Sequence, residues 1–338
     1  MRNPLIISIK STKLKTSEKN NLNIYKPYGV ILFSRNISNF NQIKKLVKSI
    51  KSQSRKTLIL IDQEGGIVNR FQKFPEFKFL DNYDYYKIYL RYPSLAKQLV
   101  YLKSFITSYY LKEIGIDINT IPVLDLPIHN TATIIKKRTF GPNIDTNIIL
   151  NEVLLSASKQ FGLIPVMKHI PGHGVTNIDS HFTLPVSKFS ISELNRHLKI
   201  FKHFNHLPLA MTAHIKYLSW DKNNIATFSY KIINQIIRKN ANFKGLIMSD
   251  DLMMKANEFK ILEAISLSNK AGIDILLDCS SDWERYIEII KNFNITNKYK
   301  AKINLQLGKL NRSKFNNKSI NINHYHHLYN ELVKHYGI

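Results

Sequence analysis

Cysteine is almost missing from this chain, and the single one, Cys279, rules out an internal disulfide and any multi-cysteine metal centre. That scarcity suits a reducing compartment, and a cytoplasmic protein is expected. Long apolar runs are missing as well. None approaches the ~18 residues that cross a bilayer, and the opening MRNPLIISIK holds too short an apolar stretch for a signal peptide. No membrane partner is expected. No stretch gathers Pro, Gly and Ser into a linker and no internal repeat is visible, so residues 1–338 are taken as one domain.

Acidic residues are scarce: 24 Asp and Glu stand against 49 Lys and Arg, a net charge of +25. An excess of that size raises a nucleic-acid reading. Its lysines, however, are scattered rather than blocked, and they accompany Ile, Asn, Tyr and Phe, the residues of A- and T-rich codons. No helix-turn-helix, zinc-finger or RNP pattern occurs, and no nucleic-acid partner is expected. The patterns GxGxxG and GxxxxGK[ST] are absent too, so the Gly-rich nucleotide turn of a doubly wound open sheet is not there.

What is present is core. At 44% hydrophobic and 22% charged residues, the chain can bury a large interior. Eight short apolar runs recur: LIISI (5–9), GVILF (29–33), LILI (58–61), IDINTIPVL (116–124), LIPVM (163–167), LPLAM (207–211), GLIM (245–248) and IDILL (273–277). Continuous Ile, Leu and Val suit strands buried on both faces. Amphipathic stretches lie between most of them, at 40–51, 94–114, 148–161, 229–239 and 259–271, and Gly115, Gly162 and Gly272 follow three of these where a helix cap favours glycine. Alternation of this kind predicts a parallel sheet, and eight strands close into a (β/α)8 TIM barrel.

Ionisable residues follow five of the runs: Asp62 and Glu64 in DQEGG, Asp125, Lys168-His169, His214 beside Thr212, and Asp250-Asp251. At the C-terminal ends of barrel strands these groups converge on one polar pocket, as in an enzyme. The longest such stretch, KHIPGHGVTNIDSHFTLP (168–185), concentrates histidines, a lysine and an aspartate among glycines and prolines. Pro171, Gly172 and Gly174 are expected to let it bend and move, and His173 is expected to make a structural hydrogen bond within it. In the tail, about 295–338, HYHHLYNELVKHY can form a helix that sets His327, Glu331 and His335 on one face. Nothing else there completes a metal site, and none is expected.

GVILFSRN, LILIDQEGGIVNRF, KHIPGHGVTNIDSH and SDDLMM, in that order, resemble the single-domain β-N-acetylglucosaminidases of glycoside hydrolase family 3, the NagZ type, from about residue 24 to 280. The resemblance implies a TIM barrel that hydrolyses with retention and needs neither metal nor cofactor. It implies that Asp250 is the nucleophile, that His181 is the general acid and then base, and that Asp179 is the partner of His181. A histidine near its ordinary pKa can give and recover a proton at neutral pH, and a neighbouring carboxylate favours its charged form. Asp62, Arg70, Arg138, Lys168 and His169 are implied to bind the sugar, although Asp62 and Arg70 can also be read as simply paired with each other.

The implied substrate is a terminal β-linked N-acetylglucosamine on 1,6-anhydro-N-acetylmuramic acid, with or without peptide, released in peptidoglycan recycling. A monomer is expected. The chain departs from the family pattern at Lys136 and Lys137, where Gly-Asp is usual, at Met253, and in KANEFKILEA, which lacks the usual Gly-rich loop. A family 3 exo-glycosidase for glucose or xylose, or an inactive sugar-binding descendant, are the rival readings. The KH-x-PGHG…DSH loop argues against the first, and the full set of catalytic groups against the second.

Overall fold

The computed structural model describes residues 2–177, 183–257, 259–293 and 320–337. Each of the eight apolar runs contributes one strand: β1 Asn3–Ser8, β2 Pro27–Leu32, β3 Leu58–Ile61, β4 Ile118–Asn119, β5 Ile164–Ile170, β6 Leu209–Thr212, β7 Leu246–Asp251 and β8 Ile275–Asp278. All are parallel to their neighbours, and β1 pairs with both β2 and β8, which closes the barrel in sequence order. The fold is the (β/α)8 barrel that the alternation predicts.

The strands read as continuous apolar runs because both faces are covered. In β3, Leu58 and Leu60 point into the barrel with Ile6, Ile31, Val166, Met211, Met248 and Leu277. Ile59 and Ile61 point outward into a second layer formed with the helices. The strands pair with a period of two, so a one-residue slip would exchange the two layers. At their N-terminal ends, polar groups close the barrel floor: Asp117 accepts from Lys51 and from the Ile59 amide, and Asp274 accepts from Arg238 and from the Ile247 amide.

Helices form over Phe40–Gln53, Pro93–Ile114, Ile144–Gln160 and Ile261–Ala271, as their periodicity predicts. Asn39 and Asn143 cap two of the N-termini with their side chains. Gly115 and Gly272, at φ of 93° and 92°, cap two C-termini in the left-handed region that glycine enters freely. The amphipathic stretch at 229–239 is instead wound as a π-helix over Lys231–Asn240, with the Ala241 amide bonded to Ile236 O. Either winding keeps Ile232, Ile233, Ile236 and Ile237 buried. Four more helices, Thr16–Tyr25, Asn82–Arg91, Ile191–His203 and Trp283–Asn292, complete the outer layer among the described residues.

The tail helix, Ile322–His335, lies on Pro93–Ile114. Tyr325 stacks on Phe105 at 4.3 Å, and the Tyr329 and Tyr85 hydroxyls are 2.7 Å apart. Among the described residues, no helix is long and apolar enough to cross a membrane, and no group of three His, Cys, Asp or Glu is arranged to hold a metal ion.

Candidate active site

Parallel strands deliver all their C-terminal ends to one mouth, so Asp62 after β3, Asp125 after β4, Lys168 and His169 near the end of β5, and Asp250 near the end of β7 share it. Asp62 accepts from Arg70 Nη2 at 2.9 Å, from Lys168 Nζ at 3.2 Å and from the Thr120 hydroxyl. Burial alone would raise its carboxyl pKa, but Lys168 and Arg70 outweigh that and hold it well below the usual range. Arg70 also lies over the Phe33 ring, 5.1 Å from its centre. The Asp62–Arg70 pair does form, and Lys168 joins it.

Glu64 is the centre of the polar network. Its carboxylate receives Arg138 through Nε and Nη2, both at 2.9 Å, and Lys168 Nζ at 2.6 Å. Its side chain is 1% exposed and that of Lys168 is 2% exposed, so this is a buried ion-pair cluster. Burial would raise the Glu64 carboxyl; Arg138 and then Lys168 more than offset it and lower it to about 2. Lys168 thus donates to Asp62 and to the Thr120 hydroxyl at 2.8 Å while pairing with the Glu64 carboxylate.

Gly65 and Gly66 turn the chain away behind Glu64 at φ of 80° and 59°, and a Cβ on Gly65 would meet Lys103 Cε at 2.6 Å. Lys103 is buried, which draws its pKa down to about 7. Its ammonium bonds Asn82, whose amide in turn donates to the Arg138 carbonyl.

The histidines are set by Asp125, which is fully buried. His169 Nδ1 lies 2.6 Å from Asp125 Oδ2, and the Arg138 Nη2 donates towards His169 Nε2 at 3.2 Å. A carboxylate needs a donor and a guanidinium needs an acceptor, so the ring carries its proton on Nδ1. Asp125 Oδ1 accepts the His173 amide at 2.6 Å, and the aspartate is held at about 2 because His169 outweighs its burial.

The same bonds fix the first half of the PGHG stretch. Residues 171–176 are buried, the Thr131 hydroxyl donates to Gly174 O at 2.7 Å, and a Cβ on Gly174 would lie 1.9 Å from Leu126 O. The expectation that Pro171, Gly172 and Gly174 let this part move is therefore corrected. Gly174 serves close packing, while Gly172, at φ of 134°, gives the chain its bend. Burial pushes the His173 ring down to about 4, so at neutral pH it is an uncharged structural group.

On β7, the Asp251 amide donates to Asp250 Oδ1 at 2.8 Å, which orients the Asp250 carboxylate. The Asp251 carboxylate turns the other way and accepts the Met253 and Cys279 amides at 3.0 and 2.9 Å, tying the end of β7 to β8. Burial raises its pKa to about 6, and the neighbouring Asp278 and Asp250 carboxylates add to the effect. Thr212 and His214 gather around the Thr227 hydroxyl at 2.8 and 2.7 Å, and His214 Nε2 lies 3.1 Å from Asp251 O. They buttress the strand end that carries Asp250.

The structure thus brings Asp62, Arg70, Arg138, Lys168 and His169 into one network of hydrogen bonds and ion pairs, with Asp250 on the same mouth. His181 and Asp179 lie outside the described residues. Lys136 and Lys137, the departures from the family pattern, fall on a short helix, Thr133–Lys137. There Lys137 pairs with Asp81 at 3.3 Å and Lys136 lies over the Tyr83 ring. Sequence reasoning assigned no role to Glu64, Asp125, Thr120 or Lys103. Glu64 and Asp125 were visible as acids just past buried runs, whereas Lys103 sits inside an amphipathic helix and gives no signal.

Comparison with known proteins decides the family. The glycosyl hydrolase family 3 N-terminal domain matches residues 5–310. The chain belongs to glycosyl hydrolase family 3. The match is wider than the stretch from about 24 to 280 that carries the motifs, and it takes in most of β1. A β-hexosaminidase of Psychromonas ingrahamii is 31% identical over 305 residues, 86% of this chain and 87% of that one. A β-hexosaminidase of Shewanella frigidimarina is 34% identical over 259 residues, 75% and 74% of the two chains. The structure of NagZ from Neisseria gonorrhoeae in complex with N-trifluoroacetyl-D-glucosamine superposes with a TM-score of 0.86, at 28% identity and 98% coverage of both chains. Within family 3 the chain is of this NagZ-type β-hexosaminidase kind, a glycoside hydrolase.

Proposed function

We propose that this protein removes terminal, nonreducing β-linked N-acetylglucosamine by a retaining mechanism. The observation that carries the reading is the position of Asp250, a carboxylate aimed by the Asp251 amide at the end of β7, on the mouth where Asp62, Lys168, His169 and Arg138 form their network. Asp250 attacks the anomeric carbon while the bond to the leaving sugar breaks, and a charged His181 gives its proton to the leaving oxygen. The resulting glycosyl ester is opened by water: neutral His181 takes a proton, the water oxygen joins the anomeric carbon, and Asp250 is released. Asp179 holds and charges the His181 ring.

Asp62, with two oxygens, accepts from a pair of sugar hydroxyls, and Arg70 and Arg138 donate to others. Lys168 donates through the hydrogen now on its longest contact, the 3.2 Å bond to Asp62. His169 keeps Arg138 in line. These steps call on no metal and no cofactor. The substrate is the disaccharide N-acetylglucosaminyl–1,6-anhydro-N-acetylmuramic acid, with or without its peptide, which places the enzyme, as a monomer, in cytoplasmic peptidoglycan recycling.

Purified protein assayed on 4-nitrophenyl β-N-acetylglucosaminide, on the matching glucoside and on the disaccharide tests this. Hydrolysis of the first and third with little of the second is expected. Preference for the glucoside would move the protein to another family 3 specificity, and inactivity on all three would mark a sugar-binding descendant.

A further inference from the structure

A second cavity, of about 420 Å3, opens on the same face of the barrel, with Tyr83, Leu126, Pro127, His129, Lys136 and Arg196 in its wall. It adjoins the sugar network directly. Leu126 follows Asp125, the partner of His169, and its carbonyl packs on Gly174 of the PGHG turn. Lys136 precedes Arg138 by two residues, so their Cα atoms are at most about 7.6 Å apart, roughly the span of one sugar ring. Arg196 belongs to the helix that follows β5.

Among the described residues, the wall holds cations and no acid. The acids nearest these residues along the chain are already engaged: Asp81 with Lys137 at 3.3 Å, Asp84 with Lys87 at 2.9 Å, Asp125 with His169 at 2.6 Å, and Glu193 with the Ser190 amide and hydroxyl at 2.8 and 2.7 Å. Lys136 rests over the Tyr83 ring at 5.0 Å, and neither it nor Arg196 has an ion-pair partner among the described residues. His197, also in the wall, is kept uncharged by its burial. Two cations and an aromatic face, with no acid in the wall among the described residues, suit a carboxylate attached to a ring or a short apolar chain.

We propose that this cavity binds a carboxylate on the part of the substrate beyond the scissile bond, through Lys136 and Arg196, with Tyr83 as a flat platform. The inference rests on the glycosidase reading above. The carboxylate has two possible sources, the lactyl acid of the muramic sugar or the acidic stem peptide.

The test compares kcat/KM on four substrates: the disaccharide acid, its methyl ester, the disaccharide bearing an alanyl-glutamyl stem, and the uncharged 4-nitrophenyl glycoside. At least one carboxylate substrate should exceed the ester about tenfold, the scale that two ion pairs open to solvent supply. An advantage for the free acid assigns the carboxylate to the sugar, and one for the stem assigns it to the peptide. The ratio should fall towards one in Lys136→Ala/Arg196→Ala and on raising salt, and should persist in Lys136→Arg/Arg196→Lys. A ratio within about twofold of one in the parent protein, or one that survives the alanine pair, overturns the proposal.

Failure to hydrolyse even the 4-nitrophenyl glycoside strikes the glycosidase reading instead. The cavity is then read by calorimetric titration with muramic acid and its methyl ester, where equal affinities overturn the proposal.

Discussion

Glu64→Gln keeps the shape of the side chain and removes the charge that two buried cations share, so its cost follows from the structure. Lowering the carboxyl from 4.5 to about 2 is worth about 3 kcal/mol at ~1.36 kcal/mol per pH unit. An independent route gives a similar figure, since removing one partner of a buried ion pair costs ~3–5 kcal/mol. The sign fixes the pH window. A depressed folded pKa contributes stability that is fully present above the unfolded value of 4.5 and is lost as pH falls through about 2.

Urea denaturation at pH 7 should therefore show the variant about 3 kcal/mol less stable. At pH 3 the gap should narrow to about 1–2 kcal/mol. Because Arg138 and Lys168 lose the carboxylate that aims them, kcat/KM should also drop by about ten- to hundredfold. A loss under about 1 kcal/mol at pH 7, or an equal loss at both pH values, would refute the claim that Glu64 organises this cluster.

Three further outcomes follow from the same site. His181→Ala should badly impair cleavage of the disaccharide, whose leaving group needs a proton, and hurt the first step on an activated aryl glycoside much less; an equal loss in kcat/KM on both would remove His181 as the acid. Asp251→Asn should raise stability at neutral pH, because a folded pKa raised from 3.8 to about 6 imposes a penalty that is absent below the unfolded value and complete above about 6, worth about 2–3 kcal/mol; a variant that melts lower at pH 7 would contradict this. Asp125→Asn should lower kcat/KM by about ten- to hundredfold through lost aim of His169 and the PGHG turn, and unchanged kinetics would count against that role.

The barrel was legible because each strand announces itself alone: LILI is buried on both faces, and a buried parallel strand is written as an uninterrupted apolar run. Asp62, Lys168 and Asp250 were legible for the same reason, since a charge that ends such a run must lie at a strand end. The clasp itself was not. Glu64 and Arg138 are 74 residues apart in sequence, and Asp125 and His169 are 44 apart. Nothing local says which acid meets which cation. The PGHG turn misled for a physical reason, because glycine signals freedom and close packing alike, and the Leu126 carbonyl beside Gly174 decides for packing. Helix Thr16–Tyr25 escaped notice because it buries only Glu18 and Leu22, too few for a periodic stripe.

The central claim is that Asp250 is the carboxylate that bonds the sugar. A 5-fluoro derivative of an activated N-acetylglucosaminide should form the glycosyl ester and hydrolyse slowly, and mass spectrometry of the peptide spanning GLIMSDDLMM locates the adduct. Attachment at Asp250, lost in Asp250→Asn, is the result predicted. Attachment at Asp251, or turnover with no covalent adduct and full activity in Asp250→Asn, would contradict it.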